Sequence, residues 1–194
     1  MPGQPFLAIE IGYYRQVPQA EAVVKGVMEK AIFQNPGNGA AMIRMLFHDC
    51  FVEGCDASVL LDPTPFSPTP EKLSPPNDPT LRGFELIDAI KDALEAACPA
   101  SSPVQTSSPS QPVTRPPSSA GQVLQNVLSH TVLFTSDAAL AASAETARMV
   151  VENAKIPGWW EDRFEKAMVK MAGIEVKTGY QGQIRKNCRA INHY

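Results

Sequence analysis

The chain has 194 residues with 44% apolar and 19% charged residues, enough for one ordinary domain or two small lobes with a packed core, which excludes a wholly disordered chain. A net charge of −3 without any Lys/Arg run excludes a dedicated nucleic-acid binder. The apolar runs are short and interrupted, so none spans a membrane, and Met1–Pro5 has neither the basic start nor the apolar centre of a signal peptide, so no secretion signal is read in this chain.

In chain order, Gln19–Gln34 places Val23, Val24, Val27, Met28, Ala31 and Ile32 at helical spacing. Pro36-Gly-Asn-Gly39 reads as a turn. Ala40–Phe51 is apolar almost all round, which predicts a buried helix. Seven of the 18 prolines fall between Asp62 and Thr80. Proline fixes φ and removes a backbone donor, so this stretch is no helix interior; with Glu71, Lys72, Asn77 and Asp78 it reads as a structured loop. Arg82–Cys98 carries Phe84, Ile87, Ile90 and Leu94 on one stripe and stops at Pro99.

Six more prolines fall between Pro99 and Ser119. That stretch has one charge and no aromatic residue, so it reads as an extended linker. Residues 99–119 thus divide a segment 1–98 from a segment 120–194. Val123–Phe134 reads as helix although it is moderately β-branched. Ser136-Asp137 is a good N-cap for a run to Asn153, and Pro157-Gly158 breaks it. Trp159–Met171 repeats an apolar face through Trp160, Phe164, Met168 and Met171, and the tail from Gly173 is irregular. Strand signals are few, and the fold class is mainly α.

The chemistry concentrates in Arg44-Met-Leu-Phe-His-Asp-Cys-Phe-Val-Glu-Gly-Cys-Asp-Ala-Ser58. Arg44 and His48 are four apart and share a helix face. An unpaired buried guanidinium is costly, so the pair predicts a cavity into which both point; the competing reading is a core histidine that has simply found its partners. Cys50 and Cys55 bracket a short loop, as a small disulfide or as two metal thiolates. A zinc site needs four ligands and no second Cys pair exists, so the disulfide is favoured, and with it an oxidising compartment. Asp49, Asp56 and Ser58, with the carbonyls of Val52 and Gly54, offer hard oxygens that suit calcium; a solvated acidic loop is the equal alternative.

This stretch, continued through Val59-Leu-Leu-Asp62, resembles the distal-helix signature of the plant secretory (class III) haem peroxidases. Gly12-Tyr-Tyr14, Glu71-Lys72, Asn77, Arg82–Lys91, Asn126–Leu140 and Trp159 through Arg189-Ala-Ile-Asn192 resemble further parts of that family. The resemblance implies a helical haem-peroxidase-like fold and hydrogen-peroxide-dependent one-electron oxidation of small phenolic donors on haem b. It implies His48 as the distal base, Arg44 as stabiliser of developing negative charge, and Asn77 as the acceptor that turns His48 correctly. Phe47 would pack over the distal haem face. Asp49, Asp56 and Ser58 side chains with the Val52 and Gly54 carbonyls would hold calcium, and Glu71 would reach it through water. Cys50–Cys55 would be the family's small-loop disulfide. Secretion or delivery to the vacuole is the family's location.

The departures are as informative. After Cys98-Pro99 the family continues with the section bearing the proximal histidine, the iron's protein ligand; here the linker stands instead, and the fold is expected to be truncated. The other histidines, His130 and His193, lie where the family has no iron ligand. The family's first cysteine falls at Val17, which leaves Cys98 and Cys188 without their usual partners and free to pair with each other. Two functions therefore compete: a haem peroxidase, or a catalytically inactive calcium-binding fragment of one. An interaction module built on Trp159 and Trp160 is a third reading, which core packing explains more simply. Apolar faces left uncovered by the missing section predict self-association.

Overall fold

The computed structural model describes residues 19–97, 119–177 and 181–193. Gly12–Tyr14, Val17, Cys98 and the predicted linker, apart from Ser119, lie outside these residues. Among them there are seven α-helices and two short 3₁₀ turns but no strand; Thr64 and Ser67 form an isolated bridge. The chain is mainly α, as its periodicity predicts. The described residues fall into two compact units, one within Met1–Gln111 and Met168–Tyr194, the other within Pro112–Ala167. The segment 120–194 is therefore shared between the two units, because its last part supplies side chains to the first core.

In the first unit, α1 (Ala20–Gln34) buries Ala20, Val24 and Met28, one residue per helical turn. The predicted turn at Pro36–Gly39 is shorter than expected. Asn35 Oδ1 accepts the Gly37 N–H at 2.9 Å and the Asn38 side chain donates to Ala31 O at 3.0 Å, so the reversal is complete by Pro36 and both glycines enter α2 (Gly37–Phe51). That helix buries Ala41, Met42, Met45, Leu46, Asp49 and Cys50. Its other face is not buried as expected: Phe47 and Phe51 are 47% and 76% exposed, and their rings stack on each other at 5.3 Å.

The proline-rich loop after α2 is ordered by 3₁₀ turns at Ser58–Leu60 and Glu71–Leu73 and by an ion pair between Lys72 and Asp62. It leads into α3 (Phe84–Ala97), which buries Ile87, Ile90, Lys91 and Leu94; the Lys91 ammonium pairs with Glu95 one turn later. Met28, Met42, Met45, Val59, Leu60, Leu81, Ile90 and Leu94 meet in one core, and Cys188 from the tail joins them. A second cluster joins Leu46, Cys50 and Cys55 to Met168, Met171 and Ala172. The irregular tail is pinned by its cations and backbone. Arg185 donates to Ala57 O at 2.6 Å, Arg189 Nε to Asp88 Oδ2 at 2.7 Å, and Asp62 N–H to Arg189 O at 2.9 Å.

Cys188 is a free, buried thiol, so the expected Cys98–Cys188 bond is not formed. It packs in the core with Ile87, Ile90 and Leu94 of α3. Burial, with the charge of Asp88, pushes the Cys188 thiol above its ordinary pKa.

The second unit contains α4 (Ser119–Leu128), α5 (Thr135–Ala139), α6 (Ala144–Lys155) and most of α7 (Trp159–Met171). The helix predicted over Val123–Phe134 stops at Leu128. There Ser129 Oγ donates back to Gln125 O at 3.0 Å and His130 takes a left-handed φ of 57°. The run predicted from Ser136 to Asn153 is two helices. Ser143 Oγ accepts the Thr146 N–H at 3.2 Å and starts α6 afresh. Leu124, Val127 and Val150 form this unit's core with Trp160 packed on them. Trp160 stacks on Phe164 at 4.8 Å, and the Arg163 guanidinium lies 4.7 Å from the Trp159 ring, so both tryptophans have internal partners. No helix among the described residues is long and apolar enough to cross a membrane.

Met45 is 1% exposed. Met45→Ala is expected to lower the stability of the chain by about 2–5 kcal/mol in urea unfolding followed by circular dichroism. Phe51→Ala, on the same helix but largely exposed, is expected to change it by less than about 0.5 kcal/mol.

Candidate active site

Helical spacing brings Arg44 and His48 together on α2, and the Arg44 Nε–H donates to His48 Nε2 at 3.2 Å. On the other side of the ring, His48 Nδ1 lies 2.6 Å from Asn77 Oδ1. The Asn77 amide nitrogen is committed as a donor to Glu71 O at 2.6 Å and Ser74 Oγ at 3.0 Å. Its oxygen must therefore accept, and the proton sits on Nδ1. With Nε2 accepting from Arg44, this is the hydrogen-bond pattern of a neutral imidazole whose basic nitrogen is Nε2.

Arg44 also reaches beyond the imidazole to the proline loop. Its terminal nitrogens donate to Thr80 O at 3.0 Å, Pro76 O at 2.9 Å and Thr80 Oγ1 at 2.7 Å. The guanidinium thus clamps the proline loop against α2 and satisfies its donors there. Phe47 stands beside the imidazole, edge to face at 6.0 Å. The other described histidines, His130 and His193, are exposed, and no described residue hydrogen-bonds either ring. His130 belongs to the other compact unit.

The loop after α2 is the second feature. Cys50 and Cys55 form a disulfide, which decides between the two readings of that pair. Glu53, Gly54 and Ala57 take left-handed φ values of 55°, 94° and 64°, so the loop curls tightly. Gly54 is required there: a Cβ would lie 2.5 Å from Glu175 Cβ. Asp49 is fully buried and its Oδ2 accepts the Ala57 N–H at 3.1 Å. Asp56 Oδ1 accepts the Ser58 N–H at 2.9 Å, and Ser58 Oγ donates to Glu71 Oε2 at 2.9 Å. The Gly54 carbonyl accepts the Asp56 N–H at 3.1 Å; the Val52 backbone is extended, with φ −111° and ψ 104°.

Sequence reasoning did not find Lys177. Its ammonium forms an ion pair with Asp56 Oδ2 across 121 residues of chain. No local signal could reveal it, because the tail must first fold back. Burial alone would raise the Asp56 pKa, but hydrogen bonds from Lys177 and Ser58 outweigh it and hold the carboxyl below its ordinary 3.8. Lys177 is raised above 10.5 by the hydrogen bond and charge of Asp56. Glu71 moves the other way, above 4.5, through burial and, despite the Ser58 hydrogen bond, the charges of Asp56 and Glu53. Among the described residues no three His, Cys, Asp or Glu side chains converge on a metal position. The side-chain oxygens of Asp49, Asp56 and Ser58 each bond within the loop; as donors they are hard oxygens, the type that suits a cation such as calcium, and an ammonium rests on Asp56.

The fit to haem is different. The distal residues are assembled, but no described imidazole is oriented to take iron from the opposite side, and a metal-ligating histidine needs a partner that sets its ring. The residues present do not fit haem held in the family's manner.

The peroxidase family model matches residues 24–106. Peroxidase 2 of Zea mays is 48% identical over 305 aligned residues, covering 98% of this chain and 91% of the relative. Peroxidase 5 of Vitis vinifera is 29% identical over 302 residues, covering 95% and 92%. Peroxidase 40 of Arabidopsis thaliana is 48% identical over 94 residues, 48% of this chain and 27% of that one. The chain belongs to the plant peroxidases, in their secretory, class III haem branch. Against 305 aligned positions it has 194 residues, so at least 305 − 194 = 111 positions of the maize relative face no residue here. The chain is thus shorter than that relative within the aligned region.

The two carboxyl shifts have opposite signs in pH. Asp56 has its folded pKa below 3.8, so its pairing adds stability above pH 3.8 that is lost as pH falls through the lower folded value. Glu71 has its folded pKa above 4.5, so its ionisation works against the fold at higher pH and its protonation relieves this first. Unfolding measured along a falling pH series is expected to show wild type losing stability below pH 3.8. Lys177→Met is expected to lose less over that window, because its Asp56 has no ammonium partner to forfeit.

Proposed function

We propose that this chain is a peroxidase-family protein that keeps the peroxide-directed acid–base half of the site and, by itself, does not sustain oxidation of phenolic donors. The observation that carries this reading is the contrast among the histidines. His48 is set by Asn77 at 2.6 Å, while His130 and His193 are exposed. In the family's reaction, His48 Nε2 would take a proton from hydrogen peroxide and return it to the departing oxygen. Arg44 would offset negative charge on that oxygen, after releasing the ring nitrogen it now holds at 3.2 Å. Asn77 would keep the proton on Nδ1 throughout. Hydrogen peroxide supplies the oxidising equivalents of the family's reaction; haem b, when bound, would take them up and pass them to the donor, and Phe47 would pack against its distal face. Among the described residues no imidazole other than that of His48 has a hydrogen-bond partner to set its ring.

The second reading, a catalytically inactive calcium-binding peroxidase fragment, is favoured by the hard oxygens that Asp49, Asp56 and Ser58 contribute to one curled loop. Calcium there would be held by those side chains with the Val52 and Gly54 carbonyls, with Glu71 linked through water. It would neutralise the loop and fix the end of α2. The Cys50–Cys55 disulfide supports the family's secreted or vacuolar location, since such bonds persist in oxidising compartments.

Haem titration followed in the Soret band, with turnover of peroxide and a phenol measured alongside, tests the reading. The expected result is no saturable imidazole-ligated spectrum and no turnover above free haem. A five-coordinate ferric spectrum that His130→Ala or His193→Ala abolishes, together with turnover, would overturn it. The exposed stack of Phe47 and Phe51 also leads us to expect self-association. Sedimentation velocity over a concentration series is expected to show species larger than 21.0 kDa, and Phe51→Ser to reduce them.

A further inference from the structure

The tail does not meet the calcium loop by a chance swing of a surface lysine. The Cys55 N–H donates to Ile174 O at 2.9 Å, and Gly54 packs so closely on Glu175 that a Cβ there would lie 2.5 Å from its side chain. Those two contacts deliver Lys177, two residues further on, to Asp56 Oδ2. A cavity of about 170 Å³ opens beside the pair, lined by Asp56, Ser58, Lys177, Gln183 and Arg185 among others. Both Asp56 oxygens are engaged, Oδ1 by the Ser58 N–H and Oδ2 by Lys177. A cation approaching Asp56 through this cavity therefore meets the ammonium already in place.

We infer that Lys177 is a tethered counter-cation of the calcium loop, which holds Asp56 while no metal is bound and must be displaced before calcium can use that carboxylate. This inference rests on the proposed calcium reading and adds its regulation. The Lys177 ammonium and the Arg185 guanidinium, which donates to Asp56 O and Ala57 O, bring two charges to a stretch that carries Asp49, Glu53, Asp56 and Glu71, so they offset its charge without neutralising it. A divalent ion neutralises more and wins at sufficient concentration. Affinity is then set by competition between a free ion and a side chain whose local concentration is fixed by the Gly54 and Cys55 contacts. Metal binding also frees Lys177 from the loop, so it is linked to release of the tail's ion pair.

Calorimetric titration of calcium into the full chain tests this, with variants whose circular dichroism matches wild type. Lys177→Met and Lys177→Gln are each expected to tighten calcium binding by about fivefold, the scale of a partly exposed ion pair. Lys177→Arg keeps the competing charge and is expected to stay within about twofold of wild type. Lys155→Met, in the other compact unit, controls for net charge and is expected to change nothing. Unchanged or weaker calcium binding in both Lys177→Met and Lys177→Gln would overturn the inference. No binding to wild type or to either variant, or binding that survives Asp56→Asn, would instead remove the calcium reading and this inference with it.

Discussion

Asp49 is buried at the last turn of α2 and reaches across the disulfide loop to the Ala57 amide at 3.1 Å. A carboxylate in that position is costly unless its hydrogen bonds are made, so the loop is obliged to curl back over the helix end. Much else follows from that curl. It sets the left-handed turns at Glu53, Gly54 and Ala57, presents Asp56 and Ser58 on one side, and offers the backbone on which the tail docks. Because His48 and Asp49 are adjacent on a helix, they project about 100° apart. The same few residues thereby place an imidazole on one face and the curled acidic loop beside it. Anything that loosens the loop also loosens the seat of the imidazole.

The proline loop is the matching constraint on the other side. Its prolines forbid helix, and its shape is held by Lys72 to Asp62, Ser74 to Glu71 and the Arg44 clamp on Pro76 and Thr80. That shape puts Asn77 where it accepts from Nδ1. The orientation of His48 is thus decided by a segment 29 residues away in sequence, through backbone contacts that tolerate little slack.

Periodicity made α1, α3 and α7 legible: α1 and α3 each bury one stripe, and α7 half-buries Met168 and Met171. It failed where local hydrogen bonds override pattern. Asn35 closes the turn before Pro36–Gly39, and Ser143 restarts a helix that apolar spacing alone would continue. The distal group was legible because its residues lie in one helix and one motif. Asn77 required the family resemblance. Lys177 was beyond reach, because nothing in Glu175-Val-Lys177 distinguishes that lysine from a solvated one until Gly54 and Cys55 have seated the tail. Cys188 was misjudged for a related reason: chain ends that lost their usual partners invited a pairing, while packing placed the thiol against the middle of α3.

Arg44 ties the helix that carries His48 to the proline loop. A guanidinium that is to stabilise transient negative charge must keep donors aimed at the place where that charge forms. Here its donors go to Thr80, Pro76 and the basic nitrogen of His48. The contacts to Thr80 and Pro76 are exposed, and the one to His48 is half-buried. Together they hold the guanidinium across His48 Nε2. The exposed Phe47–Phe51 stack is the other half of this picture, an apolar surface on the catalytic helix with nothing among the described residues laid over it. The clamp and the stack thus belong to one helix, and the side chain that fixes the proline loop is the one that touches the imidazole.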